Sequence, residues 1–505
     1  MAMLLGGYAN IALITIQALV LVPLILRSVG PALYGAWLGS GNIIGWLGVL
    51  EMGSASIMIQ RIASAHGRGN RLSVANYLAT GVIAQIGLVI LFVLGALVVA
   101  PFFPAWMSVS GQDARVLSSC FVIAAVANGL SILNNGVAGF AQAMQVTVFM
   151  NIASLLTTLL GFGTTVYFLL AGWGLWSIPV GLLIRNTVLV VGNVWHAVNL
   201  YKRRIGAPLR PSKRVFRDFA SLAGPVFLAN LGNAAMGKSD VALVAILIKP
   251  EIATVYALTR RAAEVIQMLL DRTGGAVFAG FAHLFGSGET EKAHRVYNEV
   301  LRKQFSLAVL LISTYFAFNG TFVSLWVGRS QFGGDMLNLL IGASIVLSSA
   351  GSMLGYLYGA TGKIARSSFV ILIEATVRFG LMVMLLWSLG ILGLPLAAIL
   401  TSLASGFVYL RWTRKELGAA FSFKRPSVGI ELIIYPAIVV VGVVTGLNQS
   451  LHTWLGFVGW MSCFLLMGGA SIVAFDPFFA PLRTSTWQQI LSRVPVIRNE
   501  KKLRP

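Results

Sequence analysis

Charge is what this sequence has least of. Of its 505 residues only 10% are Asp, Glu, Lys or Arg, against about 25% in a soluble globular protein. A chain this long cannot coat a water-facing surface with so few charges. An ordinary soluble enzyme is excluded, and lipid is the expected solvent. Cysteine is nearly absent too. Cys120 and Cys463 each lie inside an apolar run, which leaves no disulfide framework and no thiolate centre. The five histidines (His66, His196, His283, His294 and His452) form no HxxxH-type cluster, so no metal is expected. There is no phosphate loop, no GxSxG elbow, no HExxH motif and no carboxylate pair on a long outer loop. The chain therefore does not read as an enzyme, and no cofactor is expected. Between Met1 and Leu26 there is no basic residue and no clear cleavage site, so this stretch reads as a retained first span rather than a signal peptide.

What is present is apolar: 57% of the residues. A membrane-spanning helix needs about 20 mainly apolar residues, and runs of that kind fall at 4–26, 34–60, 77–103, 116–143, 147–170, 174–200, 218–247, 252–285, 304–327, 337–360, 366–389, 391–411, 430–447 and 453–475. The expectation is an all-α polytopic membrane protein with about 14 transmembrane helices. A membrane barrel is excluded because the runs lack its ten-residue alternation. The 54 glycines, in patterns such as Gly161-Phe162-Gly163 and Gly351-Ser352-Met353-Leu354-Gly355, suit helices that approach closely or bend in lipid.

The 37 basic and 16 acidic residues give a net charge of +21. With the N-terminus inside, 27 of the basic residues fall in connections on the cytoplasmic side and in the tail, while four (Arg27, Arg115, Lys249 and Arg329) fall on the other side. That asymmetry predicts both termini in the cytoplasm. The basic loops form no single patch and carry no nucleic-acid reader motif, so nucleic acid is not an expected partner. The tail 481–505 mixes Trp487, Ile490, Leu491, Val494 and Ile497 with basic residues. It reads either as a segment lying on the inner membrane surface or as a solvated positive tail.

Six basic residues remain at membrane depth: Arg185, Lys238, Arg260, Arg261, Arg272 and Arg378. A charge at the bilayer centre costs about 2.5–3.5 kcal/mol on insertion scales, so such residues face a protein interior or a watery cavity. The eighth run is the densest. Arg261, Glu264 and Arg272 share one helical face, Arg260 meets Glu264 at i+4, and Asp271 lies two turns beyond Glu264. Forked guanidinium donors there suit phosphate or carboxylate; the competing reading is internal pairing that only holds helices together. Glu374 and Arg378 stand at i+4 and neutralise each other or serve a site. Lys238 and Asp240 point to different helix faces, which leaves Asp240 as an ion-coupling candidate. Glu51, in Leu50-Glu51-Met52-Gly53, has no basic neighbour along its helix and is a second one. Arg185 has no local acid.

Setting Tyr34 on Tyr256 gives an offset of 222 residues, at which Ile25-Leu26-Arg27 falls on Leu247-Ile248-Lys249 and Leu33-Tyr34-Gly35 on Val255-Tyr256-Ala257. The offset predicts two pseudo-symmetric six-helix bundles, 1–210 and 211–425, followed by two extra transmembrane helices over 426–480 and a basic tail. Parallel repeats of this kind are a transporter architecture. The stretch Pro23-Leu-Ile-Leu-Arg-Ser-Val-Gly30-Pro-Ala-Leu-Tyr34-Gly35-Ala-Trp37, then Glu51-Met52-Gly53 with Arg61 following, resembles the opening of Wzx-type polysaccharide (O-antigen) flippases. These belong to the MOP exporter superfamily with the MATE exporters and the lipid II flippase MurJ. The segment Asp240 to Arg261, with Tyr256-Ala257-Leu258, is similar to that family's second-half signature. Where relatives often carry Asp-Leu-Gly in the second span, Glu51-Met52-Gly53 keeps the carboxylate. Met1–Leu26 holds no charge, a departure from the basic first spans of the lipid II flippase that argues against lipid II as cargo.

The resemblance implies a flippase in the bacterial cytoplasmic membrane that turns an undecaprenyl-diphosphate-linked oligosaccharide from the inner to the outer leaflet by alternating access. The expected partners are that cargo, membrane lipids, and polysaccharide polymerase or export proteins. On this reading Arg260, Arg261 and Arg272 hold the diphosphate or acidic sugars, Lys238 assists, and Glu51 and Asp240, with Glu264 and Asp271, are the candidates for coupling to H⁺ or Na⁺. Arg185, Glu374 and Arg378 are secondary candidates. Two alternatives stay open: a MATE-like cation-coupled exporter of small molecules, which would need an acid-rich cavity, and a membrane glycosyl polymerase or ligase, which would need a large outer loop.

Overall fold

The computed structural model describes residues 2–51, 54–219, 231, 232, 234, 237, 239–286, 290–361, 363–417, 431–448 and 453–475. Lys238, much of the seventh apolar run, the tail 481–505 and the side chain of Arg272 lie outside the described residues.

Among the described residues the secondary structure is helical throughout, with no strand. The helices are α1 (Ala2–Leu47), α2 (Ser54–Gly67), α3 (Arg71–Val99), the single turn α4 (Phe103–Trp106), α5 (Gly111–Ala143), α6 (Val148–Leu170), α7 (Ser177–Arg204) and α8 (Asp240–Leu247). They continue with α9 (Pro250–Gly286), α10 (Thr290–Val327), α11 (Asp335–Ala360), α12 (Ile364–Leu389), α13 (Gly393–Leu417), α14 (Glu431–Asn448) and α15 (Trp454–Phe475). Nine helical stretches among the described residues are long and apolar enough to cross a membrane; the figure of fourteen remains an expectation. Leu455, Leu170 and Trp387 are 88%, 76% and 74% exposed, a surface that hydrocarbon tolerates and water does not.

The first two apolar runs do not form two plain helices. They merge into α1, which is interrupted at Gly30 (φ 78°, ψ 168°). That left-handed backbone favours a residue without Cβ, and Pro31 behind it has no N–H to continue the ladder. The second run then breaks again. Helix α1 stops at Leu47, a 3-10 turn covers Gly48–Glu51, and α2 starts at Ser54. Glu51 thus lies at a helix break, not inside a regular span. Of the glycine patterns, Gly161 and Gly355 sit against Arg185 and Tyr409, while Gly163 faces open space.

The chain divides into two compact units. The first comprises residues 1–259, 326–333 and 365–401. Within it, α5 and α7 are joined by two side-chain amides: Asn186 Nδ2 donates to the Ala127 carbonyl at 2.7 Å and Asn193 Nδ2 to Asn134 Oδ1 at 2.8 Å. Both bonds join positions 59 apart, so one helical register serves two turns. Trp326 Nε1 donates to the Leu19 carbonyl at 2.7 Å. At the end of α1, Trp46 Nε1 donates to Ser239 Oγ at 3.1 Å. The second unit comprises residues 260–325, 334–364 and 402–505. Here α15 rests on α10 through Phe318 and Phe322 against Trp454, Phe457 and Phe464, and α14 rests on it through a Ser306–Tyr435 hydroxyl pair at 2.7 Å. Asn319 Nδ2 donates to Asn338 Oδ1 at 2.8 Å, tying α10 to α11.

Candidate functional site

Helix α9 supplies the densest polar surface. Its spacing does what a 3.6-residue repeat requires. Arg261 Nη1 stands 3.1 Å from Glu264 Oε2, and Arg260 Nε stands 3.8 Å from Glu264 Oε1. Two guanidinium groups therefore converge on one carboxylate. Arg261 is the more open of the two, with 45% of its side chain exposed against 18% for Arg260. Arg260 also lies within electrostatic reach of Tyr315, a buried residue of α10.

Two turns beyond Glu264, Asp271 Oδ1 accepts from Ser349 Oγ of α11 at 3.0 Å. The Ser349 carbonyl in turn accepts from Gln304 Nε2 of α10 at 3.2 Å. Asp271 is thus held by a polar chain running through three helices. A pocket of about 400 Å³ opens along Glu264, Gln267, Met268 and Asp271, so both carboxylates border space that can admit a polar group. The backbone of Arg272 continues the same helix, and its side chain is outside the described residues.

The other candidates belong to the first unit. Asp240 is 2% exposed; it accepts from the Val241 backbone N–H at 2.9 Å and from the Tyr256 hydroxyl at 3.4 Å. Glu374 and Arg378 face each other across one turn of α12 at 2.5 Å, with side chains 12% and 9% exposed. Arg378 Nε also donates to Thr401 Oγ1 at 2.9 Å. This is a buried, hydrogen-bonded pair. Arg185 on α7 lays its aliphatic stem against Gly161. Its Nε is buried without a hydrogen-bond partner, and no ion pair to it is formed among the described residues. Glu51 is hydrogen-bonded by the Asn135 side chain.

The sequence reading missed the uncharged members of these clusters: Ser349, Gln304, Thr401 and Asn135. Their one sequence signal is a carboxamide or hydroxyl inside a long apolar run, which the cost of burying an unpaired polar group makes informative.

The fold and the sequence have relatives. The family model for polysaccharide biosynthesis protein matches residues 7–284. A multidrug-resistance MATE family transporter of the MOP superfamily in an inward-facing conformation superposes with a TM-score of 0.62 at 14% identity, covering 81% of this chain and 96% of that one. The outward-facing conformation of a transporter so described gives 0.58 at 15% identity over 83% and 95%. A MOP superfamily transporter from Pyrococcus furiosus Vc1 gives 0.60 at 14% identity over 83% and 95%. Identities this low speak for the fold alone. No curated protein is similar enough in sequence to match. A multi-pass helical chain with the MATE fold, matched over more than half its length by one family model, is a member of the polysaccharide biosynthesis protein family.

Proposed function

We propose that the protein is a flippase that carries an undecaprenyl-diphosphate-linked oligosaccharide from the inner to the outer leaflet of the bacterial cytoplasmic membrane by alternating access, coupled to H⁺ or Na⁺ entry. Both termini lie in the cytoplasm. The observation that carries this reading is the convergence of Arg260 and Arg261 on the single carboxylate of Glu264 beside a pocket. Two guanidinium groups thus share one carboxylate at that turn. Sugar hydroxyls and a diphosphate cannot cross hydrocarbon unaided, and guanidinium forks on a polar wall give them donors while the lipid tail stays in the bilayer. From their places in the sequence, Arg272 and Lys238 are the further cations assigned to the same cargo. Membership of a polysaccharide biosynthesis family agrees with a glycan cargo.

An exporter of cationic drugs on the same fold is the second reading. The Pyrococcus furiosus transporter is described by a reverse polarity of its binding pocket that suggests a different function. Pocket charge is therefore the property to weigh on this fold: the paired guanidinium groups of Arg260 and Arg261 support an anionic cargo, whereas Glu264 and Asp271, which border the pocket, are the groups the second reading would use. The test is a variant with Arg260, Arg261 and Arg272 all changed to Ala. Glycan export should stop, lipid-linked sugar should accumulate in the inner leaflet, and membrane insertion should be retained. Normal export by that variant would sink the assignment.

A further inference from the structure

The pocket beside the arginine turn has a polarity of its own. Glu264, Gln267, Met268 and Asp271 border a volume of about 400 Å³. The last three stand three, four and seven residues after Glu264, so all four share one stripe of α9. Arg260 and Arg261 lie one turn before Glu264 on the same stripe and converge on its carboxylate at 3.8 and 3.1 Å. The stripe is therefore graded, with guanidinium groups at one end, then a carboxamide and a thioether, then the Asp271 carboxylate. At the helical rise this gradient covers about 15 Å from Arg261 to Asp271.

The two carboxylates are not equivalent. Glu264 is met by two guanidinium groups. Asp271 is met by a neutral hydroxyl: Ser349 Oγ donates to its Oδ1 at 3.0 Å, and the Ser349 carbonyl is itself held by Gln304 Nε2 at 3.2 Å. One such bond leaves a carboxylate with further acceptor capacity. An anionic group brought to that end of the pocket meets a like charge, and like charges at close range in a low-dielectric site repel strongly. A sugar hydroxyl meets an acceptor instead. The Gln267 carboxamide offers it both a donor and an acceptor, and the Met268 thioether gives the C–H face of a sugar ring an apolar contact.

We propose that this pocket holds an uncharged, hydroxyl-bearing sugar of the cargo and rejects acidic sugars, which confines the cargo's negative charge to the diphosphate at the arginine turn. The inference rests on the flippase reading above and narrows it. The sequence leaves the arginines to hold either the diphosphate or acidic sugars; the graded stripe separates the two tasks, with phosphate at Arg260 and Arg261 and neutral hydroxyls between Gln267 and Asp271.

The experiment uses the full-length protein in nanodiscs with Met268→Cys, a 37% exposed position, in a Cys463→Ser background; Cys120 is fully buried. The first readout needs no cargo: the introduced thiol should react about tenfold faster with a cationic methanethiosulfonate than with an anionic one of similar size, and Asp271→Asn, which keeps an acceptor for Ser349, should narrow that ratio. The second is protection of the thiol by citronellyl-diphosphate-linked glucose or glucuronate, two probes that differ by one carboxylate. The glucose probe should protect at a concentration about tenfold lower, and Asp271→Asn should close the gap. Both readouts are taken first with Asp271 in place, so an Asp271→Asn protein that fails to fold leaves the test complete. The proposal is overturned if the anionic reagent reacts as fast as the cationic one, if the two probes protect equally, or if neither protects. Equal protection that is lost when Arg260, Arg261 and Arg272 are all changed to Ala would refute the pocket's selectivity and leave the flippase reading standing. Selective protection that survives that triple variant would uphold the neutral-sugar pocket and refute the arginines as the diphosphate site.

Discussion

The Thr254 hydroxyl donates to the carbonyl oxygen of Pro31 at 2.6 Å across 223 residues of sequence. The two segments it joins are the pair that the 222-residue offset aligns, around Tyr34 and Tyr256. Beside this bond Gly35 faces the Pro250 carbonyl so closely that a Cβ would overlap it. The obstructing atom belongs to the backbone, so it cannot swing aside as a side chain could.

Substituting Gly35→Ala should therefore destabilise the protein by about 1–3 kcal/mol, the usual cost of overfilling a packed contact. Thr254→Val keeps the volume and removes the donor, and should cost about 0.5–1.5 kcal/mol. Thermal unfolding in nanodiscs measures both. A Gly35→Ala protein as stable as the parent would refute the close contact.

The Glu374–Arg378 pair separates a structural charge from a transporting one. Glu374→Ala takes the carboxylate away from a guanidinium on a residue that is 7% exposed, and breaking a buried pair in this way costs about 3–5 kcal/mol. Replacing both residues by Leu removes both charges, and Thr401 still has the Ala397 carbonyl at 2.9 Å to donate to. Near-parental stability and export are expected of the double variant. Stable protein with lost export would instead make Arg378 a cargo contact.

Orientation can be read with single cysteines in a Cys120→Ser, Cys463→Ser background. Gln112→Cys and Pro208→Cys lie at exposed positions on opposite sides of the predicted topology. A membrane-impermeant maleimide added to intact spheroplasts should label Cys at 112 and spare Cys at 208, and inverted vesicles should reverse the pattern. Labelling of both from one side would overturn the assignment of the termini to the cytoplasm.

Much of α9 is legible in the amino-acid sequence alone. Contacts at i+3 and i+4 follow from helix geometry, which is why Arg261–Glu264, Arg260–Glu264 and Glu374–Arg378 are found where the spacing puts them. All-helical architecture is legible for a similar reason, since long apolar runs in lipid must satisfy their backbone internally. The break at Glu51 is hidden because an apolar stretch reads the same whether its backbone is continuous or interrupted; Gly48 and Gly53 are weak hints. Partners far apart in sequence are hidden too. Nothing local ties Asp271 to Ser349, 78 residues away, or Gln85 to the space that Gly136 leaves. Arg185 shows the limit most plainly, because its Nε is buried without a hydrogen-bond partner among the described residues.

The two amide bonds between α5 and α7 constrain how this unit can work. Asn186 and Asn193 hold Ala127 and Asn134 at the same offset two turns apart, like two pins through one hinge plate. Sliding either helix by a single turn would strip both pins together and leave amides stranded in hydrocarbon. A force that displaces α7 therefore has to displace α5 with it, as one spar, or break both bonds at once.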